Sequence, residues 1–268
     1  MSYVAGTAGL ALSGADRVLA VLRLLAERPS GLRPEDLRRE IGVSKSTAHR
    51  ILGTLSRSGF ATRDEAGRYV LSMEFLRLAF GHYETLDDRT VVQGVLEALV
   101  ARFGETAYYA RLDGAEVVYV DMRTAPGYLH TASAIGNRCA AQRTSLGKAM
   151  LAHILPDRAA VDGFVDAHGP LVATTSTSVT NAAALHRELV ATRARGWATD
   201  NEENETGVVC IGFPLFLGPS VRPSGAVSVA AIKLRKSLAE LEARAYEVRE
   251  IIERHLGPDA LSPKTRAD

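Results

Sequence analysis

One short stretch of the chain combines apolar and cationic side chains at helical spacing. At about 100° per residue, four apolar side chains fall on one stripe, namely Ala48, Ile51, Leu52 and Leu55. The opposite face carries Ser46, Arg50 and Arg57, whose side chains can reach base edges and phosphates, and Gly53, which lets the backbone come close, with Thr47 and His49 at its margins. The pattern predicts a helix that lies in the major groove of DNA, with Ser44 as its N-cap and Lys45 in its first turn.

Such a helix needs neighbouring elements that fix it on the duplex. A predicted helix over 34–41, ended by Gly42, places Arg38 toward the phosphates. After the recognition helix, two alternating segments around a turn predict a hairpin that carries Arg68 and forms a wing along the DNA backbone. The sequence therefore predicts a winged helix-turn-helix over 15–72, whose partner is double-stranded operator DNA.

Composition and charge agree with this prediction. The 268 residues are 46% hydrophobic and 24% charged, which excludes a disordered or collagen-like chain. Residues 1–72 carry eleven basic and seven acidic side chains, a net charge of +4, whereas the remainder carries −3. A basic first quarter favours an anionic partner. No apolar run is long enough for a membrane helix, and Cys139 and Cys210 form no CxxC pair, which together favour a cytoplasmic chain with free thiols.

The rest of the chain predicts a second domain of mixed type. Strands near 106–112 and 116–122 flank the turn dipeptide Asp113-Gly114, and further strands and helices follow. The expected fold class is α+β, with a mostly antiparallel sheet flanked by helices and a last helix over 237–256. The predicted domains are a disordered tail over 1–14, the winged helix-turn-helix over 15–72, a linker helix over 73–87, the second domain over 88–257 and a frayed tail over 258–268.

Three segments resemble one family. The stretch GVSKSTAHRILGTLSRSGFATRD is similar to the winged helix-turn-helix of the IclR family of bacterial transcription regulators. RTSLGKAMLA and RGWATDNEENETGVVCIGFPLF resemble two segments of that family's C-terminal domain, in the expected order. The resemblance covers about residues 15–256. It implies a DNA-binding domain, a linker helix and a GAF-like effector-binding domain in a homodimer or homotetramer. The effectors it implies are small carboxylic or aromatic metabolites.

The resemblance also implies which residues bind the effector: Arg143, Ser145, Leu146, Gly147, Asp200, Cys210 and Ser228. Backbone N–H groups at the start of the predicted helix after Arg143 can hold a carboxylate. Asp200 would accept a hydrogen bond from a hydroxyl or protonated group of the ligand. Arg143 replaces a residue that is often uncharged in the family, so it either pairs with an anionic effector or is solvated. Ala230 stands where some members have a second serine, which favours a less polar ligand.

Two other functions stay open at this point. Cys139 and Cys210 could make the protein a thiol-based redox regulator, and residues from distant segments could form an enzyme site on the second domain. Against an enzyme, the sequence has no nucleophile elbow, zinc-protease motif, dinucleotide fingerprint or phosphate-binding loop. The histidines do not lie at metal-ligand spacing, so we expect no metal and no cofactor.

Overall fold

A computed structural model describes residues 13–125 and 134–263 of the chain. The chain divides into two compact units, Met1–Leu86 and Asp87–Asp268. The predicted α+β class is confirmed. Of the tail predicted over 1–14, residues 1–12 lie outside the described residues. Its last two residues are ordered parts of a helix, because Ser13 caps that helix and Gly14 begins it.

The first unit, over its described residues 13–86, is built from four helices and one hairpin. In chain order they are α1 (Gly14–Glu27), α2 (Pro34–Ile41), α3 (Lys45–Arg57), β1 (Ala61–Arg63), β2 (Tyr69–Leu71) and α4 (Met73–Glu84). The bounds of α2 match the prediction, because Pro34 fits the first turn and Gly42 adopts the left-handed backbone, φ 66°, that ends the helix. A core that includes Leu25, Leu37 and Leu52 joins the first three helices to the hairpin.

The second unit contains six strands and six helices within the described residues. They are α5 (Asp87–Phe103), β3 (Thr106–Asp113), β4 (Glu116–Arg123), β5 (Arg138–Ala140), α6 (Ser145–Ile154), α7 (Arg158–His168), α8 (Ala182–Arg195), β6 (Ala198–Asn201), β7 (Val208–Leu215), β8 (Gly225–Ile232), α9 (Leu238–Ala243) and α10 (Ala245–Leu256). The strands form one sheet in the order β5-β4-β3-β8-β7-β6, and all its pairs are antiparallel.

The sheet is covered by helices on both faces. Adjacent residues of a strand point to opposite faces, and Tyr108 and Tyr109 on β3 illustrate this. Tyr108 belongs to the core cluster that contains Leu146 and Met150 of α6. The Tyr109 hydroxyl instead donates to Asp88 of α5, at 3.2 Å. The cavity described below lies on the α6 side of the sheet.

Two sequence-based expectations for this unit are wrong, and two short strands were missed. The helix predicted over 237–256 is two helices, α9 and α10, because Arg244 leaves helical geometry and its guanidinium lies over the Phe103 ring. The short strands β5 and β6 were not predicted. The tail predicted to be frayed over 258–268 begins with an ordered 3₁₀ turn, Pro258–Leu261, in which Ala260 accepts a hydrogen bond from Phe216 and is buried. Residues 264–268 of that tail lie outside the described residues.

Candidate functional site

The predicted recognition helix α3 has the two faces that the sequence indicates. The Ser44 hydroxyl accepts a hydrogen bond from Thr47 N at 3.2 Å, which fixes the start of the helix at Lys45. All four residues of the apolar stripe are buried, namely Ala48, Ile51, Leu52 and Leu55. The opposite side is solvent-exposed at Lys45, Ser46, His49, Arg50 and Arg57. The helix therefore exposes cations and small polar groups on one face, while its apolar face is buried in the core of the first unit.

Some of the predicted DNA-contact side chains already interact with other groups of the protein, and others do not. The Arg68 guanidinium pairs with Asp64 at 2.8 Å, and the Ser44 hydroxyl serves the helix cap. By contrast, Arg38, Lys45 and Arg50 form no ion pair with any described residue. Unpaired cations of this kind can neutralise phosphates without first breaking an internal ion pair.

The second unit holds a small polar cavity between the start of α6 and the concave face of the sheet. Its volume is about 30 Å³, enough for one or two water molecules. The lining residues come from six elements and one turn: Tyr108, Tyr119, Thr144, Ser145, Leu146, Asp200, Asn204, Glu205, Val208, Cys210, Ser228 and Ala230. Among the described residues, the lining contains hydroxyls and two carboxyl groups but no Lys or Arg side chain.

Close packing brings α6 onto the sheet at this cavity. The Thr144 hydroxyl caps α6 by accepting a hydrogen bond from Gly147 N at 2.9 Å. A Cβ atom on Gly147 would collide with the Ala141 carbonyl, and one on Gly212 of β7 would lie 2.7 Å from the Ser145 backbone. Both positions therefore require glycine. Ser145 and Leu146, the first two residues of α6, line the cavity beside this close contact.

Asp200 is the most perturbed carboxyl in the cavity. Only 3% of the residue is exposed. The pKa of its carboxyl is raised from 3.8 to about 7, mainly by burial and to a smaller extent by the nearby Glu203 charge. Glu203 N donates to Asp200 Oδ1 at 2.8 Å, which favours the ionised form and limits the increase. Near neutral pH this group can therefore act as a hydrogen-bond donor or acceptor.

A buried ion pair lies beside Asp200. The Lys148 ammonium is fully buried, with Nζ 2.5 Å from Glu203 Oε1 and 3.8 Å from Glu188 Oε2. Burial raises the pKa of Glu203, and the Lys148 charge opposes that increase. Lys148 is not a lining residue, so its charge stabilises the turn that bears Glu203 and is not directed at a ligand.

The structure brings together five of the seven effector residues implied by the resemblance: Ser145, Leu146, Asp200, Cys210 and Ser228. Arg143 and Gly147 do not line the cavity. The Arg143 guanidinium donates to Val172 O at 3.0 Å, and Gly147 packs against Ala141.

Sequence reasoning missed six lining residues: Tyr108, Tyr119, Thr144, Asn204, Glu205 and Val208. The available signal was strand register, since Tyr108 lies opposite Ser228 in the β3–β8 pair. A register argument from Ser228 would therefore have found Tyr108.

The two thiols lie in unreactive surroundings. Burial raises the pKa of Cys139 and raises that of Cys210 well above the ordinary value, so little of either thiol is ionised near neutral pH. They lie on β5 and β7, and three strands of the sheet separate those two. This arrangement gives no support to a redox switch that joins Cys139 to Cys210.

The described residues contain neither a metal-binding cluster nor a membrane-spanning helix. Over 13–125 and 134–263, no group of three His, Cys, Asp or Glu side chains is arranged to hold a metal ion. Over the same residues, every helix is too short or too polar to cross a bilayer.

Comparisons with known proteins agree on one family. Residues 82–254 match the sequence model described as "Bacterial transcriptional regulator IclR C-terminal", and residues 14–65 match "IclR helix-turn-helix domain". The chain is 31% identical to the HTH-type transcriptional regulator XynR of Escherichia coli, over 86% of this chain and 90% of that protein. It is 34% identical to the glycerol operon regulatory protein of Streptomyces griseus, over 75% of this chain and 77% of that protein.

Solved structures show the same fold. The IclR crystal structure from Thermotoga maritima has a TM-score of 0.69 at 26% identity and covers 91% of this chain and 98% of its own. An IclR homolog from Microbacterium hydrocarbonoxydans, crystallised with 4-hydroxybenzoate, has a TM-score of 0.72 at 22% identity and covers 90% of this chain and all of its own. With both of its units matched in sequence, the chain belongs to the IclR family of transcriptional regulators.

Proposed function

We propose that this regulator binds operator DNA through α3 and the wing, and that a small carboxylic or aromatic metabolite in the C-terminal cavity controls that binding. The observation that carries the proposal is the convergence of hydroxyls, Asp200 and the start of α6 on one cavity, which at about 30 Å³ must widen to admit a ligand of this size. The N-terminal amides of a helix favour a carboxylate, and the lining hydroxyls can orient it without a cationic side chain. An effector changes the operator affinity only if it binds two arrangements of the protein with different affinities, one arrangement binding DNA more tightly than the other. The resulting change in operator affinity is commonly about 5- to 150-fold.

The DNA contacts of this proposal are Arg38, Ser44, Lys45, Ser46, Thr47, His49, Arg50, Arg57 and Arg68. Footprinting on the DNA that flanks the gene, over a salt series, should reveal a protected and roughly palindromic site. Arg50→Ala should weaken specific binding by about 10- to 100-fold and reduce the salt slope by about one. Arg77→Ala is the matched control, because it removes an exposed cation of α4 that pairs with Glu74. Equal losses in both variants would contradict the assignment of α3.

The effector part is tested by ligand-induced thermal stabilisation. A panel of small carboxylic and aromatic acids that includes 4-hydroxybenzoate should contain compounds that raise the melting temperature by several degrees at saturating concentration. Ser228→Ala should remove the shift because its hydroxyl lines the cavity, whereas Ser262→Ala, at an exposed position, should keep it. A shift that survives in Ser228→Ala would place the binding elsewhere.

We propose a homodimer or homotetramer as the acting species. Two-fold operator sites need at least two recognition helices, one for each half-site. Light scattering on the purified protein should give a mass of two or four chains, and a mass of one chain at the concentrations that saturate the operator would contradict this.

A further inference from the structure

The turn that follows Asp200 forms part of the cavity wall. Asn204 and Glu205 line the cavity, and Glu203 N donates to Asp200. Glu202 adopts the left-handed backbone, φ 62°, which residues other than glycine rarely adopt. A turn of this conformation persists only where its surroundings hold it. The contacts that hold it therefore determine the shape of the cavity.

A run of hydroxyl side chains earlier in the chain supplies several of those contacts, beside the ion pairs of Glu203 with Lys148 and of Glu202 with Lys233. Four of them donate to the main-chain carbonyls of Glu202, Glu203 and Asn204. The oxygen–oxygen distances are 2.7 Å from Thr175 to Glu202, 2.8 Å from Thr177 to Glu202, 2.6 Å from Ser178 to Glu203 and 2.9 Å from Thr174 to Asn204. We call residues 174–178 the hydroxyl clasp. Each of three consecutive carbonyls of the turn thus accepts a hydrogen bond from the clasp.

Ser178 is the central residue of the clasp. Its oxygen accepts hydrogen bonds from Thr174 N and Thr175 N, both at 3.1 Å, while its hydrogen is directed to Glu203 O. One hydroxyl therefore fixes both the shape of the clasp and its hold on the turn. Ser176 lies in the same run but is exposed, and none of its hydrogen bonds reaches the turn within the described residues.

The clasp is itself attached to the core. Leu171 and Val179, on either side of it, pack against the hydrophobic cluster of the second unit. The Arg143 guanidinium donates to Val172 O, so this cation supports the clasp without lining the cavity. The four clasp hydroxyls do not line the cavity either. Their contribution to ligand binding is therefore indirect.

We propose that the hydroxyl clasp is a positioning element for the effector, which holds the turn 201–207 and keeps the cavity wall closed around its contents. The inference rests on the proposed function only in treating the cavity as the effector site. Thr175 and Ser178 are its positioning residues, because they account for the two shortest bonds to the turn.

The test uses the full chain without effector or DNA, so its failure is separate from a failure of the proposed function. Iodoacetamide labelling, followed by peptide mass spectrometry, measures the exposure of Cys210 in the cavity wall, and amide hydrogen exchange of helix α5 is the internal reference. Ser178→Ala should raise the rate of Cys210 labelling by about tenfold, because the loss of its hydrogen bonds increases local opening. Amide hydrogen exchange of residues 201–207 should accelerate by a similar factor.

Two control variants make the result specific. Ser176→Ala, in the same run, and Thr175→Ser, which keeps the hydroxyl, should both label Cys210 within about twofold of the wild-type rate, whereas Thr175→Val should behave like Ser178→Ala. Unchanged labelling and exchange in Ser178→Ala would overturn the proposal. An equal acceleration of amide exchange in α5 and throughout the second unit would also overturn it, because the hydroxyls would then stabilise the unit generally.

Discussion

At the scale of single residues, Asp200 shows how its surroundings change the chemistry of a carboxyl group. Only 3% of this residue is exposed, and no Lys or Arg side chain of the described part of the chain lines the cavity around it. Cys210 lies opposite it on β7, Lys148 approaches from α6, and Glu203 and Glu205 lie on the following turn. Burial outweighs the attraction of Lys148, which is shared with Glu203, so the carboxyl holds its proton up to about pH 7.

This titration predicts a measurable pH dependence of stability. The folded-state pKa of Asp200, about 7, lies above its ordinary 3.8, so between these values the folded state holds a proton that the unfolded state releases. As pH rises through that window, this group should lower the free energy of unfolding by up to about 1.4 kcal/mol per pH unit. Above pH 7 the contribution should be constant.

Asp200→Asn should lack this slope. Denaturant unfolding of both proteins from pH 5 to 8 measures it: relative to the variant, the wild type should lose stability as pH rises toward 7. Parallel stability curves for the two proteins would show that the carboxyl titrates alike in the folded and unfolded states.

The sequence predicts side-chain roles well where those roles are local. The Ser44 cap and the buried stripe of α3 follow from spacing along a single helix, and the structure contains both. Arg143 and Gly147 lie beside cavity residues in sequence but outside the cavity, because the Arg143 guanidinium donates to Val172 O and the Gly147 backbone packs against Ala141. The contact of Arg143 with Val172 joins segments that no local pattern connects.

At the scale of elements, the same division between local and long-range information applies. The bounds of α2 depend on Pro34 and Gly42, so the sequence alone predicts them. Strand β5 has three residues and exists only because Cys139 and its neighbours pair with β4. Likewise, α9 and α10 are separated at Arg244, which contacts both Phe103 and Glu247. Neither feature has a periodic signal in the sequence.

The close approach of α6 to the sheet gives a prediction with an internal control. Gly147→Ala should lower the free energy of unfolding by about 1–3 kcal/mol or more, because the new methyl group collides with the Ala141 backbone. Gly163→Ala, in the exposed interior of α7 with no atom near the new methyl group, should instead raise it by about 0.5–1 kcal/mol. Chemical denaturation of both variants measures the difference. A neutral Gly147→Ala would mean that α6 does not lie against Ala141 as described.

At the scale of the whole molecule, the two units have separate hydrophobic cores. The cluster around Leu52 and the cluster around Leu189 share no residue. Because mutational effects at distant sites with no shared contacts are close to additive, damage to one core should remain within its own unit. DNA binding and effector binding should therefore be separable by core mutations.

Leu52→Ala should destabilise the first unit by about 2–5 kcal/mol and reduce operator binding, while effector-induced stabilisation of the second unit persists. Leu189→Ala should destabilise the second unit and reduce effector-induced stabilisation, while operator binding persists. Calorimetry resolves the two unfolding transitions, and gel-shift titration measures operator affinity. A loss of both activities in each variant would indicate that the units fold as one cooperative body.

The hydroxyl clasp also affects how readily mutation can change the ligand specificity of the cavity. All of its bonds to the turn end on main-chain carbonyls, which every residue type presents in the same way. The side chains of Asn204 and Glu205 can therefore be exchanged while the scaffold that carries them is retained. Libraries that randomise these two positions and keep residues 174–178 should yield folded variants with new chemical preferences.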